Sequence, residues 1–188
     1  MAKFEPGSYS QYRIYYPSKL FDSLKPYCVR GKDSDPLRVF DLGSGTGLSA
    51  ASFLRTFPDC VVTLVEPDAA MMEASFELPD LKLAKVTRIS ANAESFETGE
   101  QADVILVGSA WHWMNFEKTI PAILKALKPG GILFIFEYQF PKAKGPVGAT
   151  LNEWVRREFN LRWKPEYQKP RGTLRELTES VRLHPEMN

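Results

Sequence analysis

Residues 38–47 read Arg38-Val39-Phe40-Asp41-Leu42-Gly43-Ser44-Gly45-Thr46-Gly47: a short apolar strand, an acid, then glycines on alternate positions running straight into a helical pattern. Glycine lacks a Cβ, so the chain can turn sharply after the strand and let a ligand approach its backbone, while the next helix offers unpaired N–H groups. The stretch therefore reads as a nucleotide-cofactor loop. Asp41, expected at the mouth of that loop, would repel a pyrophosphate and could hold a cofactor carrying a cationic amine.

Spacing narrows the choice. A dinucleotide fingerprint, Gly-x-Gly-x-x-Gly, needs its third glycine at position 48, where Leu48 stands; the glycine comes one place earlier, at Gly47. The resulting pattern, Asp-x-Gly-x-Gly-x-Gly, resembles that of the class I S-adenosylmethionine (SAM) dependent methyltransferases. The loop alone leaves open another Rossmann-like nucleotide binder or a purely structural glycine turn.

The whole chain bounds the answer. Its 188 residues are 44% hydrophobic and 25% charged with a net charge of +1, which suits one domain with a sizeable core. That balance supplies no broad basic footprint for nucleic acid and favours a small-molecule partner. Apolar runs such as Val104–Val107 and Ile132–Phe136 are far too short to span a membrane, and Met1–Pro6 is not a signal peptide, so a cytoplasmic protein is expected. Cys28 and Cys60 lack metal-site spacing, so neither a metal centre nor a disulfide is expected.

From Leu37 to Tyr138 apolar runs and breakers alternate in a βα rhythm. Strands are predicted at 37–41, 60–66, 84–90, 103–108 and 132–138, with helices at 47–57, 68–77 and 116–127 closed near Pro58, Pro79 and Pro129. Runs as continuously apolar as Val104-Ile105-Leu106-Val107 belong in a parallel sheet covered on both faces, so the fold class is α/β, doubly wound and Rossmann-like. Residues 1–36 are read as an amino-terminal helical lid with a helix at 17–24, residues 37–138 as the cofactor-binding core, and residues 139–188 as a helical extension with helices at 150–163 and 173–183, all within a single domain.

Candidate site residues follow from the strand ends. Glu66 closes the second strand, 23 positions after Gly43, where a carboxylate can accept hydrogen bonds from both hydroxyls of a ribose. Asp68 is expected to cap the next helix. After the third strand, residues 90–96 resemble the methyltransferase segment that flanks the adenine, which implies that the Asn92 side chain and Ala93 N–H meet the adenine edge. Gly108, Ser109 and Ala110 keep the end of the fourth strand slim enough for backbone to meet ligand, and Trp111, His112 and Trp113 follow on the acceptor side. His112 is the tentative catalytic residue, a neutral imidazole able to take a proton from a hydroxyl or orient a carboxylate.

Four motifs in order, the glycine loop, Glu66, the Asn92-Ala93 segment and the His-Trp pair ahead of Lys128-Pro129-Gly130-Gly131, resemble the small-molecule branch of the class I methyltransferases, trans-aconitate methyltransferase-like proteins included. The resemblance runs from about Tyr9 to Tyr138. It implies SAM as cofactor, held by Asp41, Gly43, Ser44, Gly45, Gly47, Glu66, Asn92, Ala93, Gly108 and Ser109. It also implies a covering segment at Tyr12–Pro17, in which Arg13 would pair with the methionine carboxylate and Tyr12 and Tyr16 would line a substrate pocket with Trp111 and Trp113. Arg156, Arg157 and Trp163 could meet an acidic or aromatic acceptor.

The chain departs from the family at its carboxyl end. Residues 165–188 show proline, charge and helical spacing where the family usually carries an antiparallel strand pair. The fifth strand is then expected to be an exposed edge, and the chain a monomer or homodimer. Two functions stand: methyl transfer to a small-molecule carboxylate or hydroxyl, or SAM binding with little activity because the carboxyl part is truncated. A nicotinamide oxidoreductase lacks its third glycine, and Ser109-Ala110-Trp111-His112 replaces the [Asn/Asp]-Pro-Pro-aromatic motif of nucleic-acid amino-methyltransferases.

Overall fold

A computed structural model describes residues 13–28, 35–138, 143–145 and 147–162. The chain divides into two units, Met1–Phe136 and Glu137–Asn188. In the first, five strands form one sheet: β1 (Arg38–Leu42), β2 (Val61–Val65), β3 (Lys85–Ile89), β4 (Ala102–Gly108) and β5 (Leu127–Phe136). Their order is β3-β2-β1-β4-β5, every pair parallel. Chain order thus runs outward from β1 in one direction and resumes from β4 in the other. The crevice of a doubly wound sheet opens at the carboxyl ends of those two strands.

Helix α1 (Ser18–Asp22) precedes β1, and α2 (Leu48–Leu54), α3 (Ala69–Ala74), α4 (Pro79–Lys82) and α5 (Phe116–Ala126) join the strands. Strand alternation puts Val39, Val62, Leu64, Val104 and Leu106 on one face. There they form one apolar cluster with Phe21 of α1, Ala50, Ala51, Phe53 and Leu54 of α2, and Leu81 of α4. The alternate residues Phe40, Leu42, Ile105 and Val107 are equally buried, as are Ile120 and Ile123 of α5, which packs along β5. All seven residues of α2 are buried, which is why its sequence is apolar or small throughout instead of amphipathic.

One local reading needs correction and two gain detail. Pro79 follows the helix expected at 68–77, which closes with a 3₁₀ turn at Ser75–Glu77, and it also opens α4, where a proline's missing N–H costs nothing. Lys128–Gly131, expected as a turn ahead of the fifth strand, lies within β5 and bulges outward, since Ala102 pairs with Leu127 and then Val104 with Ile132. Trp111–Trp113 forms a 3₁₀ turn. Among the described residues β5 is an edge strand whose Ile132, Leu133, Phe134 and Ile135 are only half-buried.

In the second unit, α6 (Gly148–Arg162) is tied to the chain before it by a two-way bond between Asn152 and the backbone of Ala143, at 2.8 and 3.0 Å. This matches the helix expected at 150–163. The helix expected at 173–183 lies outside the described residues. No helix among the described residues is long and apolar enough to cross a membrane.

Candidate functional site

The glycine loop follows β1 directly and is laced to the end of β2: Gly43 and Ser44 N–H donate to the Val65 carbonyl at 2.9 and 3.1 Å. A Cβ on Gly43 would stand 2.7 Å from the Cβ of Ala110, so only glycine lets this loop meet the loop after β4 at the crevice. Gly47 and Gly108 face packed protein as well, Leu81 and Ser49 respectively. Gly45 differs: its φ is +56°, and a Cβ there would find nothing within 4 Å. This stretch of backbone faces open space.

Asp41 lies beneath the loop instead of at its mouth. Alternation places it on the face it shares with Val39, toward α2, and it is fully buried. Its Oδ2 accepts from the Ser49 hydroxyl and from Ala50 N–H at 3.1 Å. Among the described residues Oδ1 has no partner. Burial pushes this carboxyl up to about 7, with the Glu66 charge adding a little and the bonds from Ser49 and Ala50 opposing. Through Oδ2 the acid braces the turn from below.

Glu66, 8% exposed, stands at the crevice. Its Oε2 accepts from Gly45 N–H at 2.8 Å and its Oε1 from Asp68 N–H at 2.9 Å. Asp68 in turn caps α3 as expected, accepting from Ala70 and Met71 N–H at 2.9 Å each. Ser44 Oγ and Thr46 Oγ1 are buried in the loop with no partner among the described residues. Two orphaned hydroxyls, one open glycine backbone and a carboxylate with lone pairs to spare suit a ligand rich in hydroxyl and amine groups.

On the β4 side, Ser109 is the only non-glycine among the described residues with positive φ, at 53°. Its N–H donates to the Phe136 carbonyl at 2.7 Å and its hydroxyl meets the Tyr16 hydroxyl at 2.9 Å. Tyr16 is itself buried, with its ring edge-on to Phe136 at 4.7 Å and its N–H donating to Ser52 Oγ at 3.0 Å. The segment ahead of α1 is thereby fastened to the crevice, close to two predicted site residues. Next to it, Tyr15 donates to Asp80 Oδ2 at 2.9 Å, Arg55 holds both Asp80 oxygens at 3.1 Å, and the guanidinium lies 3.5 Å above the Tyr15 ring. Burial would raise the Asp80 carboxyl, but these bonds hold it below its ordinary value.

The aromatic pair separates. Trp111, read as a pocket wall, is 2% exposed and stacked on Phe116 at 5.2 Å, with a buried Nε1 that has no partner among the described residues. Trp113 is 45% exposed, and the half-buried His112 lies against it at 5.0 Å between centroids. Asn92 and the buried Ala93 occupy a turn after β3, where Ser95 N–H donates to the Asn92 carbonyl at 3.1 Å. Arg13 is half-buried at the start of the described chain. Tyr12, Trp163 and the Arg156 side chain lie outside the described residues, and Arg157 is exposed on α6.

Reasoning from sequence missed Ser49, Thr46, the Arg55–Asp80–Tyr15 cluster and Glu94, whose Oε1 accepts from Asn115 N–H at 2.8 Å and so clamps the loop after β3 to the one after β4. Of these only Thr46 carried a signal, as a hydroxyl between two loop glycines. Two surface cavities of about 110 Å³ lie elsewhere, one beside Asp103 and Lys128 at the amino ends of the strands, the other between residues 96–101 and α5. Neither borders the glycine loop.

Residues 40–133 match the family model described as a methyltransferase domain. An uncharacterized methyltransferase from Mycobacterium tuberculosis is 30% identical over 128 residues, 68% of this chain and 47% of that protein. The trans-aconitate 2-methyltransferase of Pseudomonas aeruginosa is 27% identical over 136 residues, 70% of this chain and 46% of that protein. The chain spans about half the length of the curated relatives it matches. A solved SAM-dependent methyltransferase from Thiobacillus denitrificans, in complex with S-adenosyl-L-homocysteine, shares the fold at TM-score 0.53 and 23% identity over 76% of this chain and 59% of that one.

Proposed function

The chain belongs to the class I SAM-dependent methyltransferases, and from that premise we propose that it transfers a methyl group from SAM to a small-molecule acceptor bearing a carboxylate or hydroxyl. The observation that carries this reading is the crevice itself, where open Gly45 backbone, the orphaned Ser44 and Thr46 hydroxyls and the Glu66 carboxylate border one another.

When bound, SAM supplies an electrophilic methyl on a positively charged sulfur. The work of the protein is to align and to exclude water, since well-oriented reactants gain about 7–11 kcal/mol over the same groups in dilute solution. In this reading Glu66 accepts the ribose hydroxyls on the lone pairs its backbone donors leave free. The glycine loop receives the methionyl part, Asn92 and Ala93 N–H receive the adenine, and Arg13 pairs with the methionine carboxylate. Gly108 and Ser109 form the floor between cofactor and acceptor, with Tyr16 above Ser109. Exposed Trp113 borders the acceptor space, whereas Trp111 supports it from the core. His112 takes a proton from a hydroxyl acceptor at one imidazole nitrogen, or donates to an acceptor already ionised. The trans-aconitate enzymes among the relatives favour a carboxylate acceptor.

Titration calorimetry with SAM and with S-adenosylhomocysteine, joined to thermal shift, tests the cofactor half of the proposal. Ligand at a hundredfold above Kd should add about 2.7 kcal/mol of stability. Absence of both heat and shift at millimolar cofactor would refute it. Labelled-methyl transfer across a panel of small carboxylic acids and alcohols tests the acceptor half.

A further inference from the structure

We propose that Glu66 is the positioning residue that shapes the glycine loop before any cofactor arrives, in addition to receiving the ribose; this rests on the crevice being the SAM site. The loop's other glycines are held by their surroundings. Gly43 is anchored to the Val65 carbonyl and wedged against Ala110, and Gly47 donates to the Ser44 carbonyl at 2.8 Å and packs on Leu81. Gly45, half-buried at the tip, has positive φ and nothing within 4 Å of where its Cβ would be. Packing does not set its conformation. What meets it is the Glu66 carboxylate, at 2.8 Å from its N–H.

The same carboxylate is fixed at its other oxygen by Asp68 N–H, and Asp68 is the cap of α3. Glu66 is therefore a strut between the rigid start of α3 and the unpacked tip of the loop. It is nearly buried, so water competes little for its oxygens. A carboxylate offers about four lone-pair sites, and the two backbone donors leave the others for ribose hydroxyls. One side chain thus orders the loop and receives the ligand, and its removal has two separable effects.

Amide hydrogen exchange of the ligand-free protein reads the first effect, and calorimetry with S-adenosylhomocysteine reads the second. In Glu66→Ala the Gly45 amide is expected to exchange roughly 10- to 100-fold faster, the worth of one charge-assisted bond, while the amides of Val62 and Leu106 in the central strands keep their rates. A general loss of stability would accelerate all three. Affinity for S-adenosylhomocysteine should fall with it, and Glu66→Gln, whose amide can accept only one of the two backbone N–H groups, should fall between. Lower affinity with unchanged Gly45 exchange would make Glu66 a ribose acceptor alone and overturn the proposal. Should Glu66→Ala not fold, the wild-type protein still decides: a Gly45 amide exchanging at its unprotected rate overturns it. Faster Gly45 exchange in the variant, with no heat from S-adenosylhomocysteine in the wild type, would refute the cofactor assignment and support the strut.

Discussion

Asp41→Asn should change how the stability of this protein depends on pH. The carboxyl is completely buried under the glycine loop and pushed up to about 7 from an ordinary 3.8. A raised value means that the folded state holds the proton more tightly than the unfolded chain does. Between about pH 4 and about pH 7 the folded state binds more protons, so stability must fall as pH rises. The contribution is complete below about pH 4, and it is gone once pH has risen through about 7. At ~1.4 kcal/mol per pH unit the full effect is about 4 kcal/mol, of which about 2.5 kcal/mol falls between pH 5 and pH 8. That is a large share of the ~5–15 kcal/mol that holds a domain together.

Asparagine keeps an oxygen for Ser49 and Ala50 N–H but has no proton to lose. Its amide nitrogen takes the place of Oδ1, and any penalty for that exchange is the same at every pH. The diagnostic quantity is therefore slope and not level. Urea unfolding of the ligand-free wild type and variant from pH 5 to pH 8 measures it, with every other titrating group cancelling in the difference. The wild type should lose about 2.5 kcal/mol relative to the variant across that range. Parallel curves would show that Asp41 is ionised in the folded protein throughout, and the account of a buried, proton-holding brace would be wrong.

Other perturbations probe the crevice from different sides. Gly43→Ala drives a Cβ to 2.7 Å from that of Ala110 at a backbone with positive φ, and should cost about 2–4 kcal/mol in chemical denaturation; Gly45→Ala meets no neighbour and should cost only the backbone penalty of about 1–2 kcal/mol. Ser109→Gly should be more stable than Ser109→Ala by about 1 kcal/mol, because both lose the hydroxyl but only glycine relieves the positive φ. A double-mutant cycle between Tyr16→Phe and Ser109→Ala should give a coupling of about 1 kcal/mol for the 2.9 Å bond, and additive effects would remove that bond from the account. Arg55→Ala breaks a bidentate pair that is half exposed, so thermal melts should show a loss near 1 kcal/mol, together with weaker cofactor binding as the segment bearing Tyr15 and Tyr16 loosens.

The backbone of this fold was legible where residue type and spacing act locally. The five strands follow from short β-branched and aromatic runs, the α3 cap from an aspartate ahead of a helical pattern, and the glycine loop from spacing alone. Pro79 was legible as the end of the helix before it but not as the start of α4, because the same residue can do both and what decides is whether the preceding chain, here the 3₁₀ turn at Ser75–Glu77, has already left the helix. Lys128–Gly131 misled because a bulge and a turn use the same residues. The Arg55–Asp80–Tyr15 cluster joins positions far apart in the chain, so no window of sequence contains it.

Side-chain destinations were the harder part, and Asp41 and Trp111 show why. Asp41 was assigned to the loop mouth from its neighbours in sequence, yet period-two alternation already set it on the face of Val39, which must be the α2 face once α2 packs there. The strand's own geometry thus sets where the carboxyl lies. Trp111 stands three residues beyond a strand end, where no periodicity applies; the 3₁₀ turn brings its ring onto Phe116, and its place in the core depends on how α5 returns to the sheet. Glu66 lies between these cases. Its position after β2 was readable, and so was its fitness for a ribose, but its bond to Gly45 exists only because parallel pairing of β1 with β2 brings the two strand ends level, Leu42 opposite Val65. A residue one place beyond each strand is then within reach of the other loop. In the proposed reading, sheet register lets the acid that would receive the ribose also support the loop beside it.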